Sequence, residues 1–405
     1  MFRALGALCG LLVAGSISPR IEPVSDWPIE LTRIESPAAA ESGQPQLSVS
    51  SRGVILSWIE RTGAQASLKF SQRARTGWSA PRTVASGDNW FVNWADVPSV
   101  MRLDDGTLAA HWLQKSGAGT YAYDVRLSYS KDEGKTWAPS FTPHHDGTHT
   151  EHGFASLFQM PGAGLGLVWL DGRAMKGGHG AHGGGDMAIR FAAYDRDWKQ
   201  IADTPLDERV CECCPTSAVV TQDGVLAAFR NRSDEEIRDI HIARLEHGKW
   251  TTPAPVHNDG WKIPACPVNG PVLSARGNDV AIAWFSTKDD QPHAYAAFSA
   301  DAGRTFAAPI RLDDGVSMGR VDIELLPDGA AAALYIEFAD NRTQVRVRRI
   351  TRSGEKSLPV IVAGIENARS SGYPRMALNG NELLFAWMER EGKVLGVKTA
   401  AARLP

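Results

Sequence analysis

The sequence predicts an all-β fold, a single β-propeller of four-stranded antiparallel blades, on three observations. A turn followed by alternating apolar residues and a closing aromatic recurs along the chain. The recurrence keeps a nearly constant step. The 39 Gly and 13 Trp among 405 residues suit many short strands joined by tight turns.

The recurring phrase reads RGVILSW, DGTLAAHW, GAGLGLVW, DGVLAAF, GNDVAIAW, DGAAAALY and GNELLFAW, ending at Trp58, Trp112, Trp169, Phe229, Trp284, Tyr335 and Trp387. The steps between closing aromatics are 54, 57, 60, 55, 51 and 52 residues. Pro98, Pro215, Pro271 and Pro374 each open an earlier strand of the same unit. A unit of this length matches a four-stranded blade. The count gives seven blades, with six as the alternative. The last unit runs out near Ala401, one strand short. The segment WPIELTRI, Trp27–Ile34, is expected to supply that strand and close the ring, which removes exposed sheet edges.

No linker-like stretch interrupts the repeat, so residues 17–405 read as one domain. The start, MFRALGALCGLLVAGS, has Arg3, an apolar run from Ala4 to Ala14 and then small residues. That run is too short to span a bilayer and reads as a signal peptide over residues 1–16, with a buried N-terminal element as the alternative. A periplasmic or secreted protein follows, with no integral membrane segment after signal removal, in an oxidising compartment. The formal net charge of −3 argues against nucleic acid as a partner. A monomer is expected.

A second phrase follows the aromatics. Its best copies are SKDEGKTW, Ser130–Trp137, and SADAGRTF, Ser299–Phe306; weaker ones end at Trp78, Trp198 and Trp250. Local turn chemistry accounts for these residues. The Asp accepts hydrogen bonds from turn amides, and Gly permits positive φ. The pattern S-x-D-x-G-x-T-W resembles the Asp-box (BNR repeat) of the sialidase-like propeller superfamily. The resemblance covers nearly the whole chain after residue 16. It implies much about fold and little about reaction.

Sialidases of that superfamily imply three arginines on the substrate carboxylate, a Tyr nucleophile with a Glu partner, and an Asp acid/base. The first arginine opens an early strand as Arg-Ile-Pro. Here the matching place reads Asp96-Val97-Pro98, and an acidic residue there repels a carboxylate. Tyr373 falls where the nucleophile would, Glu324 resembles its partner, and Arg342 and Arg375 resemble arginines of the set. Classical exo-sialidase activity is one alternative reading.

In a propeller, the loops entering the inner strands and the loops between second and third strands gather on one face. Unit two brings Trp90, Trp94 and Asp96 there. Unit three brings His144, His145, His149 and His152, then Asp171, Arg173, His179, His182 and Asp186. Unit four brings VCECCPTS and RNRSDEEIRDI, and unit five Trp261, Cys266 and Asn269. With Cys9 removed, Cys211, Cys213, Cys214 and Cys266 remain. Four cysteines in an exported chain predict two disulfides, one bridging loops four and five. Three connectivities are open, and a vicinal Cys213–Cys214 bridge is the strained one. The alternative is a copper or zinc site using His149, His152, Cys211, Cys213, Cys214 and Cys266, although Cys-x-Cys-Cys departs from usual zinc spacing.

The leading expectation is recognition of a glycan or other polar ligand on the loop face of blades two to five, with no cofactor. Trp90, Trp94 and Trp261 would stack on sugar rings. Asp96, Asp171, Arg173, Arg232, Asp234, Arg238 and Asn269 would hydrogen-bond the ligand. Hydrolysis would use Asp96, Asp171 or Asp234 as acid/base, since glycosidases use paired carboxylates. Two competing expectations are a periplasmic copper/zinc-binding or redox protein and a non-enzymatic interaction scaffold.

Overall fold

Seven antiparallel sheets follow one another along the chain in the computed structural model, which describes residues 26–74, 77–162, 164–176 and 184–405. Blade one is Ser42–Ser50, Gly53–Thr62 and Gln65–Ala74, with Arg82–Gly87 outermost. Blade two is Ser99–Arg102, Leu108–Lys115 and Tyr123–Ser130, its outer strand reduced to a bridge between Leu127 and Phe141. Blade three is His152–Gln159, Leu165–Asp171, Met187–Tyr194 and Gln200–Val210. Blade four is Ser217–Thr221, Gly224–Arg230, Ile240–Glu246 and Lys249–Trp250. Blade five is Val272–Arg276, Asp279–Lys288, Gln291–Ser299 and Ile310–Arg311. Blade six is Val316–Leu325, Ala331–Ala339, Arg342–Ile350 and Val360–Ile365.

Blade seven is Arg375–Asn379, Glu382–Glu391 and Val394–Arg403, and its outer strand is Leu31–Ile34. Leu31 stands opposite Ala402 and Ile34 opposite Thr399. Strands from both ends of the described chain thus close the ring, as the sequence predicts, and the count is seven. The predicted signal peptide lies outside the described residues. Among the described residues no helix is long and apolar enough to cross a membrane.

The aromatic-ended phrases are the second strands. Neighbouring blades cover both faces of such a strand, so the apolar run is nearly continuous: all seven residues of Leu165–Asp171 are buried. Trp58, Trp169, Trp284 and Trp387 are the largest fully buried side chains. Each indole donates its N–H to a carboxylate: Glu60 at 2.8 Å, Asp171 at 3.0 Å, Asp259 at 2.8 Å and Glu389 at 2.8 Å. Three of these pairs have Trp-x-Glu/Asp spacing, which sets both residues on one side of the strand.

The turns at Ser130–Trp137 and Ser299–Phe306 close alike. Asp132 accepts from the Thr136 amide at 2.9 Å, and Asp301 from the Thr305 amide at 2.9 Å. The Ser130 and Ser299 hydroxyls donate to these carboxylates at 2.8 and 2.7 Å.

Bulges aim residues at the loop face. In blades one, three and six the inner-strand register slips just after Gly43, Gly153 and Gly319, where Gln44, Phe154 and Arg320 take φ near +51°. A Cβ at Gly153 would lie 2.1 Å from an Asp96 oxygen, so only glycine fits there.

Candidate functional site

The inner strands surround a channel of about 510 Å³ whose lining includes Asp96, Ser274, Arg276, Asp322, Glu324 and Arg375. Asp322 and Glu324 stand two residues apart on one strand and therefore face the same way. Ser274 Oγ donates to Glu324 at 3.0 Å. Burial, then the neighbouring Asp322 charge, raises the Glu324 carboxyl to about 8. Burial raises Asp322 to about 6, opposed by Arg375. Near neutral pH the pair therefore holds at least one proton, a setting suited to donating a hydrogen bond to a polar ligand.

Packed side chains occupy the loop-face mouth of the channel. Trp94 stacks on Tyr373 with ring centroids 6.0 Å apart, and the Arg320 guanidinium lies 4.7 Å over Trp94. Arg320 also donates to the carbonyls of Ala368 and Gly372 at 3.2 and 3.1 Å. Asn269 points inward, its Oδ1 accepting from the Arg320 amide at 2.7 Å. Tyr373 is 2% exposed, and its hydroxyl donates to the Val268 carbonyl at 2.6 Å, turned to a partner other than Glu324. Arg375 lines the channel, whereas Arg342 is exposed at the start of a blade-six strand.

Asp96 is buried between blades two and three, accepting from the Phe154 amide at 2.9 Å. The Tyr123 hydroxyl stands 3.0 Å from Asp96 and 2.9 Å from Glu151. One hydroxyl proton cannot serve both contacts. Burial, reinforced by the Glu151 charge, raises Asp96 to about 7, so near neutrality its carboxyl is partly protonated and able to supply the second proton. Phe91 stacks on Tyr123 at 4.0 Å and seals the trio from the surface.

On blade three, strand register sets His152 opposite Asp171. Both are wholly buried, and Arg173 clamps Asp171 with two bonds of 2.7 Å. His144 stacks on His152 with centroids 3.7 Å apart. Burial lowers His152, but the carboxylates of Asp124, Asp171 and Asp146 outweigh it and raise the group overall. His149 is exposed and stands apart from this cluster. His179 and His182 lie outside the described residues.

On blade four, the buried thiols Cys211, Cys213 and Cys214 converge. Cys211 Sγ lies 3.3 Å from Cys214 Sγ and 3.9 Å from Cys213 Sγ, and Cys213 contacts Cys266 from blade five. Arg238 donates to Cys211 Sγ at 3.3 Å. Burial raises the Cys211 thiol, but hydrogen bonds with Cys213 and Cys214 and the Arg238 charge outweigh it and pull it well below the ordinary value. Glu212 and Glu236 bracket Arg238 at 2.8 and 2.9 Å and also pair with Arg232. Asp234 is exposed and paired with Arg209.

The three tryptophans fare differently. Trp94 is half-buried at the channel mouth, and Trp90 is half-buried against Trp112 at 5.5 Å. Trp261 is only 6% exposed, packed beneath the Arg230 guanidinium at 4.8 Å, which leaves it no face for a sugar. Sequence reasoning misses Asp124, Asp146, Tyr123, Glu151, Glu212 and Asp322. Asp322 has a usable signal, its i, i+2 spacing from Glu324; the others are recruited across loops or blades.

No family model matches the chain, and no curated protein matches it. Solved structures do. A protein of unknown function from Dyadobacter fermentans DSM 18053 is similar with TM-score 0.52 and 14% identity, over 95% of this chain and 99% of that one. The polysaccharide lyase Uly1 is similar with TM-score 0.53 and 11% identity, over 90% of each chain. The phage phi92 endosialidase is similar with TM-score 0.51 and 12% identity, over 94% of this chain and 70% of that one. At these identities the likeness is one of fold, and what the chain shares with its neighbours is the β-propeller ring, here of seven blades.

Proposed function

We propose that the protein is an exported glycan-recognising propeller of the Asp-box superfamily, with its ligand on the loop face of blades two to five. The carrying observation is a set of partly exposed arginines on blades three and four. The side chains of Arg173, Arg209 and Arg232 are 28%, 31% and 21% exposed, each held by carboxylates yet open on one side. Guanidinium groups fixed this way suit the carboxylate or sulfate of an acidic sugar. Trp94, half-buried against Tyr373 at the channel mouth, offers an aromatic edge. Neighbouring propellers described as a polysaccharide lyase and an endosialidase support a glycan ligand. The internal bonding of Asp96 and Asp171 favours recognition over hydrolysis. The test is a panel of neutral, uronate-bearing and sulfated polysaccharides. Binding to an acidic member should weaken at least about tenfold, ~1.4 kcal/mol, in an Arg209→Ala/Arg232→Ala double variant. No binding by folded protein, or binding indifferent to that change, removes the proposal.

A second reading rests on the thiols. Cys211 beside Cys214 and Cys213 beside Cys266 favour two disulfides with that connectivity, the second stapling blade four to blade five. Peptide mapping without reductant tests it: four free thiols in protein recovered from outside the cytoplasm would exclude it.

A further inference from the structure

We propose that blade three holds a buried site for a divalent transition-metal cation of the zinc class, with Asp124, His144 and His152 as its ligands. Asp124 Oδ1 stands 3.6 Å from His144 Nε2 and 3.5 Å from His152 Nδ1, and all three atoms lie within 4.8 Å of one another. Ligand atoms about 2.0–2.1 Å from a tetrahedral zinc are roughly 3.3 Å apart. The carboxylate therefore needs to move by only a few tenths of an ångström. The imidazoles, now stacked with centroids 3.7 Å apart and parallel to within 4°, must turn well out of the stack to bring a shared ion into both ring planes.

Hydrogen bonding gives an independent reason. Asp124 Oδ1, His144 Nε2 and His152 Nδ1 are all buried without a hydrogen-bond partner. His152 is 0% exposed and His144 5%. Leaving such atoms unsatisfied costs a few kcal/mol apiece, about 1–3 by mutational measures. One cation on the side where the three converge satisfies them together.

On the far side His144 Nδ1 is hydrogen-bonded to a carboxylate, and His152 Nε2, also buried without a hydrogen-bond partner, faces carboxylates. Asp146 Oδ2 stands 3.0 Å from His144 Nδ1 and 3.2 Å from His152 Nε2, and Asp171 Oδ1 stands 3.7 Å from His152 Nε2. Carboxylates behind metal-bound imidazoles fix their orientation and raise their basicity. These two are themselves anchored, Asp146 by the Thr148 amide at 2.9 Å and Asp171 by the Trp169 indole at 3.0 Å. With both rings neutral, Asp124, Asp146 and Asp171 against Arg173 leave a local charge of −2, which a dication neutralises and a single imidazolium does not. Two imidazoles and one carboxylate favour zinc, cobalt or iron(II) over calcium or magnesium. Three protein ligands leave a fourth position, on the side of Asp124, whose side chain is 20% exposed.

Chelator-treated full-length protein titrated with cobalt(II) tests the site. The expected result is one bound equivalent with visible d–d bands and without the thiolate-to-cobalt charge transfer that the blade-four cysteines would give. Asp146→Asn should weaken binding by about 10–100-fold, and Asp124→Asn and His144→Gln by more. Circular dichroism and metal-free melting show whether each variant folds. Asp124→Asn decides if a histidine variant does not, because that ligand is partly exposed. No cobalt bound, bands of thiolate character, or affinity unchanged in Asp124→Asn would overturn the proposal.

Discussion

Blades three and four present the same two loops to the same face and fill them with opposite chemistry. Blade three gathers the carboxylates of Asp146 and Asp171, with Asp124 of blade two, around a pair of imidazoles. Blade four gathers Arg230 and Arg238 around three thiols. In each the neighbouring groups overturn the effect of burial: carboxylates raise His152, and hydrogen bonds with Cys213 and Cys214 together with the Arg238 charge lower Cys211. The propeller frame is thus indifferent to the sign of what its loops bury, provided each charge is answered within hydrogen-bonding reach.

The comparison can be broken most severely at Arg230. This side chain is 1% exposed and donates to the carbonyls of Asn269, Arg238 and Phe285 at 2.6–2.9 Å. Arg230→Met should cost about 3–5 kcal/mol by urea unfolding, because three buried acceptors lose their partner. The matching change on blade three, Asp171→Asn, weakens the Arg173 clamp but keeps one acceptor oxygen for the Trp169 indole. It should cost less, about 1–3 kcal/mol. A reversed order would mean that blade three, not blade four, depends more on its buried charge.

The channel serves as the contrast to both, since burial outweighs countercharge there. The Glu324 carboxyl is raised from 4.5 to about 8, so between those values the unfolded chain is ionised while the folded one keeps its proton. Its contribution is full below pH 4.5 and is lost as pH rises through about 8. Glu324→Gln should flatten the pH dependence of unfolding over that window, and an unchanged slope would assign it elsewhere. Asp301→Ala tests the Ser299–Phe306 turn of blade five, where it packs on Leu226 and Asp223 of blade four. It removes an acceptor for the Thr305 amide and the Ser299 hydroxyl and should cost roughly 1 kcal/mol in thermal melts. Smallest should be Arg33→Ala, which deletes an ion pair to Glu389 at 2.9 Å from a side chain 59% exposed, within about 0–1 kcal/mol.

The fold was legible because its signal is local and repeated. A second strand covered on both faces must read as an apolar run, and Trp58, Trp169, Trp284 and Trp387 mark its end in four blades. The closing strand was legible because seven units left one strand wanting. The loop face was legible in composition and much less in pairing. His152 and Cys211 stood out by type, but which groups surround them depends on chain crossings with no local signature. Asp124 reaches His144 from a neighbouring blade, and Glu151 meets Asp96 through Tyr123. Trp261 shows the limit from the other side: an aromatic in a polar loop reads the same whether it faces a ligand or lies under an arginine.

Closing the ring with Leu31–Ile34 against Val394–Arg403 joins residues some 370 positions apart. Loop-closure entropy makes such a contact slow to form, although its thermodynamic cost grows only with the logarithm of the separation. Until the last strand is present, blade seven has nothing against which to lay residues 31–34, and the ring stays an open arc with two bare edges. Closure is therefore expected to couple all seven blades. A chain shortened by its final ten residues should therefore lose cooperativity throughout the molecule, and a circularly permuted chain with new ends between two blades should keep it.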